Sequence, residues 1–274
     1  MDPRVLDFAL CEEEKDHFER RGYLIVEKAL PLDLVSNLER AVDIIWAQEK
    51  AAGLGSGQNL FYPNFVGREQ IFIDLVDHPP TFAKVWGLLK SWNIYLYHSH
   101  LGVTPREPSE DPATPKTLGF HQDSGRVNAE IESNPRPMLS LKIGYWLSDV
   151  SAANRGNFYI IPGSHLDNEL RSPSAAIPVL ANAGDAVFFD RRLWHARSPN
   201  HSDRVRKVLF YGYGYRWLRT KDDMSIRPDL LASCTPIRRQ LLGQGTNCNG
   251  FFSPKDEDVP LKGWLEEYQV EFGP

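Results

Sequence analysis

From residue 93 onward the chain stops repeating at helical spacing. It breaks instead into short runs of β-branched and aromatic residues: NIYLYHSHLGV, LSLKIGYWLSDV, NFYIIPGSH, GDAVFFDRRLWH and RKVLFYGYGYRW. Gly, Pro, Asn or Asp bounds each run, and those residues supply turn conformations and interrupt strands. Strands in succession with turn signals between them describe an antiparallel sandwich or barrel.

The flanks follow a different rule. EEEKDHFERR makes a charged helix with Phe18 on its buried face, ended at Gly22, and a short strand follows at Tyr23–Val26. Leu34, Leu38, Ala41, Ile45 and Trp46 recur at helical spacing, with Pro31 suited to the first turn. A polar, Gly-rich loop over 53–59 leads to another helix in HPPTFAKVWGLLKSW, and RPDLLASCTPIRRQLLG returns to helix and stops at Gly243. The expected architecture is one α+β domain over 1–274: a helical part over about 1–91, a barrel-like core over about 92–217 and a helical tail over 218–274. No linker-like run divides it. The segment TPREPSEDPATPK (104–116) reads as a surface loop or lid.

Composition narrows the function classes. The formal charge is −5 and the basic residues are scattered, which disfavours nucleic-acid binding. No apolar run reaches the length of a membrane span, and the N-terminus lacks the basic start and apolar block of a secretory signal. The C-terminal VEFGP is not a peroxisomal address. Cys11, Cys234 and Cys248 form no CxxC pair, so a disulfide scaffold and a thiolate zinc site are both disfavoured. A reduced, cytoplasmic protein acting on a small molecule is expected. Nothing in the sequence sets an oligomeric state.

Chemistry enters at GFHQDSGRVN, residues 119–128. On a strand, residues i and i+2 share a face, so His121 and Asp123 could share a metal. An H-x-D pair also occurs by chance, so a third ligand is needed. His195 is the candidate, at the end of an apolar run, although taken alone it reads first as a surface loop histidine after a strand. Two histidines and a carboxylate make a facial triad that leaves one side of a metal open, an arrangement suited to non-haem Fe(II). Eleven residues past His195 comes Arg206. Its planar fork can grip a carboxylate, unless it is a solvated charge beside Arg204 and Lys207.

The order H-x-D, distal His, then Arg resembles the phytanoyl-CoA dioxygenase family of Fe(II)/2-oxoglutarate oxygenases. HFERRGYLIVEKAL resembles that family's N-terminal helix, glycine and strand. NFYIIPGSH resembles its P-G-S-H segment, and GDAVFFDRRLWHARSPN its approach to the distal histidine. The similarity runs discontinuously from about residue 16 to 215. It implies a double-stranded β-helix (jelly-roll, cupin-like) with iron on His121, Asp123 and His195. It also implies 2-oxoglutarate chelating the metal and salt-bridged to Arg206, with Tyr145 flanking the cosubstrate and His100 near it. Where the family often has a small hydroxyl residue two places after the distal histidine, this chain has Arg197 and then Ser198. Either Ser198 takes over that contact or it is absent. Ser124, beside Asp123, is grouped with the same set.

The implied reaction consumes O2 and 2-oxoglutarate, yields succinate and CO2, and hydroxylates an unactivated C–H, with desaturation or ring closure as variants. Asp123 argues against a halogenase, in which chloride takes the carboxylate position. SGRVNAEIESNPRP departs from the fatty-acyl-CoA enzymes, so phytanoyl-CoA is not carried over as the substrate. Candidate substrate contacts are Gln58, Asn59 and Asn64, then Arg126 and Asn128, and Trp217. Their polarity suggests a polar or oxygenated metabolite. Two rivals stand beside this reading: a non-redox cupin-like isomerase or hydrolase, and a non-catalytic metabolite-binding protein. Arg206 argues against the first, and the triad together with Arg206 against the second.

Overall fold

Three glutamates open the first helix and two arginines close it, so both ends complement the helix dipole in α1 (Glu12–Arg21). Gly22 then adopts φ 78°, the left-handed conformation that glycine tolerates, and its N–H bonds Phe18 O at 2.7 Å. A side chain here would also collide with His165, since a Cβ would stand 2.6 Å from its Nδ1. The turn aims the chain into β1 (Tyr23–Val26).

A computed structural model describes residues 1–55, 57–108, 117–244 and 259–271. After β1 come α2 (Leu32–Ala51), β2 (Leu60–Pro63), α3 (Gln70–Ile73) and α4 (Pro79–Leu89). The strand-rich part contains β3 (Ile94–Thr104), α5 (Gly125–Glu130), β4 (Ser140–Trp146) and β5 (Phe158–Ile160). It continues through β6 (Ile177–Pro178), β7 (Ala186–Asp190), β8 (His195–Arg197) and β9 (Arg206–Tyr215). The tail holds α6 (Pro228–Ala232), α7 (Pro236–Leu241) and α8 (Pro260–Glu267).

The strands form two antiparallel sheets, in the order β1-β7-β4-β9-β3-β2 and β6-β5-β8. This is the expected α+β double-stranded β-helix. Strand alternation sorts its side chains into two cores. Leu141, Ile143, Tyr145, Phe188, Leu209 and Tyr211 belong to the core shared with the helices. Trp146, Val187, Phe189, Val208 and Phe210 face Phe158 and Ile160 between the sheets. Two buried tyrosine hydroxyls on the helix side find backbone acceptors: Tyr211 donates to Phe72 O and Tyr213 to Val76 O, each at 2.8 Å.

Three local expectations change. The first 91 residues are not only helical, because β2 joins β1 as an edge of the large sheet, with Pro63 on an edge that tolerates its missing N–H. SGRVN, in which Ser124, Arg126 and Asn128 alternate and would share one face on a continuing strand, does not extend as one. Ser124 turns left-handed at φ 63° and the chain coils into α5. The tail helix is split at Pro236, which lacks a donor and pushes Thr235 into extended backbone at the start of α7. Of the loop or lid expected over 104–116, residues 109–116 lie outside the described residues, as does Cys248.

Candidate metal centre and its cavity

The H-x-D segment is not part of a sheet; it is pinned to one. His121 and His195 exchange backbone hydrogen bonds of 2.9 and 3.0 Å, and the Asp123 N–H bonds Arg191 O at 2.8 Å. These contacts register 121–123 against the turn between β7 and β8. One ligand atom from each of His121, Asp123 and His195 falls within 4.8 Å of the others. The rings of the two histidines lie 4.3 Å apart.

Their surroundings suit a cation. His121 Nδ1 lies 3.1 Å from Gly119 O, and His195 Nδ1 lies 2.7 Å from Leu193 O. A carbonyl only accepts, so each Nδ1 carries a proton, and Nε2 is the nitrogen left to offer a lone pair to a metal. Burial lowers His195 to about 4, outweighing the opposing pull of Asp123, so the imidazole is neutral at neutral pH. Burial works against charge on Asp123 too, but Lys142 and His195 hold its carboxyl far below the ordinary range. Lys142 Nζ donates to Oδ1 at 3.0 Å and lies 2.9 Å from Oδ2, which has no aligned hydrogen bond. Two imidazoles held through their Nδ1 atoms and a carboxylate with an uncommitted oxygen fit Fe(II).

The triad opens on a cavity of about 630 Å³, large enough for a small metabolite beside a cosubstrate. Arg206 enters it from β9, only 5% exposed. Its stem lies against Gly156, where a Cβ would come within 2.9 Å of its Cδ, and its guanidinium faces the Trp146 ring at 6.0 Å. Among the described residues it has no ion-pair partner, and its Nε has no hydrogen bond. Burial, reinforced by Arg197, pushes it down to about 9. Glu107 opposes this only in part, and a buried guanidinium with no salt-bridge partner among the described residues is a ready site for a carboxylate.

The sequence candidates divide. His100, Ser124 and Asn59 line this cavity with the triad and Arg206. Arg126 lies in an adjoining chamber of about 400 Å³, exposed and paired with Glu130 at 2.6 Å. Tyr145 is placed away from the cavity: it points to the helix side of β4, with its hydroxyl 2.6 Å from Thr81 Oγ1. Ser198 donates to Pro199 O and does not line the cavity, so the place expected for a hydroxyl is held by Arg197. Asn128 is a strap behind the triad, donating to Asp123 O at 2.9 Å and accepting from Arg191 at 2.8 Å. Gln58 accepts from the Gly55 N–H in an exposed turn. Asn64, at φ 55°, holds Ser99 O with its own N–H. Trp217 is 51% exposed and stacked on Tyr215.

Sequence reasoning passed over Lys142, Lys221, His98 and the phenylalanines Phe61, Phe158, Phe189 and Phe210, all of which line the cavity. Lys142 had a signal: it is a charge in the middle of an apolar strand, LSLKIGYW. It also missed a clasp at the mouth. Arg197 donates to both Glu107 oxygens at 2.8 and 3.2 Å, and Asn59 and the Asn200 N–H donate to the same carboxylate at 2.9 and 2.8 Å. Burial pushes Glu107 up, but these hydrogen bonds outweigh it and bring the carboxyl down to about 2. Since the folded value lies below the ordinary 4.5, the clasp stabilises fully above that pH and is lost as pH falls toward 2. Glu107→Gln is expected to flatten this stretch of the acid limb in urea unfolding. An unchanged limb counts against the clasp.

Known proteins resemble this chain in sequence and in fold. The dioxygenase trt7 of Aspergillus terreus is 23% identical over 244 residues, covering 82% of this chain and 81% of its own. HygX from Streptomyces hygroscopicus, solved with nickel and 2-oxoglutarate, superposes with a TM-score of 0.63 at 16% identity, over 81% of this chain and 94% of HygX. SnoK, a non-haem α-ketoglutarate-dependent carbocyclase of nogalamycin biosynthesis, gives 0.59 at 21% identity, over 76% and 85%. The two structural likenesses are likenesses of fold. The family model for phytanoyl-CoA dioxygenase (PhyH) matches residues 18–208. With the triad in place, the chain belongs to that family and is a non-haem iron, 2-oxoglutarate-dependent dioxygenase.

Proposed function

We propose that His121, Asp123 and His195 hold Fe(II), and that Arg206 anchors the distal carboxylate of 2-oxoglutarate. The enzyme would then hydroxylate a C–H of a small polar or oxygenated metabolite. The observation that carries this reading is a buried guanidinium, without a salt-bridge partner among the described residues, in the same cavity as three convergent metal-ligating side chains. When bound, iron with O2 and the cosubstrate supplies the oxidising chemistry, and 2-oxoglutarate leaves as succinate and CO2.

The protein's own residues position and insulate. Gly119 O and Leu193 O orient the histidines through their Nδ1 protons. Lys142 holds Asp123 ionised, and Arg206 meets the cosubstrate carboxylate without a competing protein anion at salt-bridge distance. Phe158, Phe189 and Phe210 give the inner wall an apolar surface that limits water at the reacting carbon. Ser124 and Asn59 are the polar groups at the mouth that a substrate would meet. The described residues are read as one domain, because β1 and β2 from the N-terminal part complete the sheet that carries the site. A cytoplasmic setting is proposed on the free thiols of Cys11 and Cys234. No helix among the described residues is long and apolar enough to cross a membrane.

Fe(II) and 2-oxoglutarate added to metal-free protein without oxygen are expected to produce a visible charge-transfer band. His121→Ala should remove the band and Arg206→Ala weaken it. No band, with tight zinc binding in its place, would overturn the oxygenase reading. Substrate-stimulated succinate release then identifies the metabolite.

A further inference from the structure

β3 presents two more histidines to the cavity, and the triad needs neither. His98 Nδ1 lies 2.7 Å from Asp222 Oδ1, with side-chain exposures of only 3% and 6%. The second carboxylate oxygen of Asp222 accepts the Ser99 N–H at 2.6 Å. On its other edge, His98 Nε2 lies 2.9 Å from His100 Nδ1. The imidazole of His100 is stacked between Phe61 and Phe210, each with its centroid 4.6 Å away.

This chain has a direction. An ionised carboxylate only accepts, so the His98 proton sits on Nδ1 and its Nε2 carries a lone pair. The proton between the two rings therefore belongs to His100 Nδ1. His100 Nε2 is left as an acceptor, with no protein partner among the described residues. The two phenyl rings cover the faces of the imidazole, so only its edge is open to a ligand in the cavity. Burial, with Lys142 adding to it, keeps His100 well below the ordinary histidine value, and burial keeps His98 low despite Asp222. Both rings are thus neutral at neutral pH, which is the state the direction requires.

We propose that the Asp222–His98–His100 chain makes His100 Nε2 a fixed hydrogen-bond acceptor for a hydroxyl or N–H of the substrate, within the cavity of the His121–Asp123–His195 triad. The substrate of this site then carries a hydrogen-bond donor beside an apolar or aromatic surface that packs among the cavity phenylalanines. His100 makes the contact, and His98 and Asp222 are positioning residues that act through it. The inference rests on the oxygenase reading for what the ligand undergoes, but not for the polarity of the chain. It also moves His100 from the cosubstrate to the substrate.

The test uses the whole 274-residue chain, metal-free and labelled with 15N in the histidine rings at neutral pH, so it does not depend on turnover. His98 and His100 are expected to be protonated on Nδ1 only. Phenol should shift the His100 Nε2 resonance, whereas anisole, of similar shape without the donor, should not. In Asp222→Asn the Ser99 N–H retains the amide oxygen, which turns the amide NH2 toward His98 Nδ1. Every proton in the chain should then move to the opposite nitrogen, His100 Nε2 should become a donor, and the preference for phenol over anisole should collapse. His98→Gln can still donate to Asp222 and accept from His100, so it should keep the preference. That variant makes the test independent of how well Asp222→Asn folds. A protonated His100 Nε2 or a cationic His98 in the wild type overturns the proposal. So does an Nε2 resonance that responds alike to both probes, including no response to either. Loss of the iron–2-oxoglutarate band with these results intact would overturn the oxygenase reading alone.

Discussion

Asp123→Ala is expected to abolish 2-oxoglutarate turnover and, separately, to destabilise the metal-free protein by about 3–5 kcal/mol. The second effect comes from Lys142. The pair is buried, with side-chain exposures of 6% for Lys142 and 8% for Asp123, and removing the carboxylate leaves an ammonium without a counter-charge. Desolvation opposes both charges, so removing them together costs far less than removing one. Asp123→Ala combined with Lys142→Met should therefore recover most of the lost stability while turnover stays absent. Urea unfolding of the two variants, read beside succinate release, separates the roles. If the single variant is as stable as the wild type, the ion pair does not support the fold as described.

Arg206→Met is expected to move affinity and stability in opposite directions. A charge-assisted carboxylate clamp contributes about 2–3 kcal/mol, so 2-oxoglutarate binding should weaken roughly 30- to 150-fold. Methionine can still pack against Trp146 and Gly156, so little of the stem's contact is lost. The charge it replaces is buried without an ion-pair partner among the described residues, and burial depresses it to about 9. Metal-free Arg206→Met should therefore match or exceed the wild type in thermal stability. The stabilisation that 2-oxoglutarate adds to the iron-loaded wild type should shrink with the affinity. A variant that is destabilised and still binds 2-oxoglutarate normally would assign Arg206 to the scaffold.

Strand parity explains why some site residues were legible and others were not. Lys142 and Tyr145 stand three apart on β4, so they face opposite sides of the sheet. The sequence shows this alternation but not which side becomes the cavity, because that depends on where the β6-β5-β8 sheet stacks. The resemblance places Tyr145 beside the cosubstrate, whereas its side chain lies among the helices with Thr81. Asn128 was read from an alternation that does not form, since Ser124 enters the left-handed region and α5 begins. Asp222 lies outside every quoted motif, far along the chain from His98. Its role exists only because the segment after β9 returns to β3, where the Lys221 N–H bonds Tyr97 O.

The sequence by itself determined most of the local elements and the donor set of the metal centre. Turn residues and β-branched runs act over a few neighbours, and two histidines and an aspartate carry metal-ligating atoms in any fold. Only the tertiary structure decided what surrounds them. Sheet pairing and stacking select which alternate side chains share the cavity. They bring Lys142 onto Asp123, Glu107 onto Arg197 and Asp222 onto His98, because contact across the cavity depends on long-range register rather than on neighbouring residues.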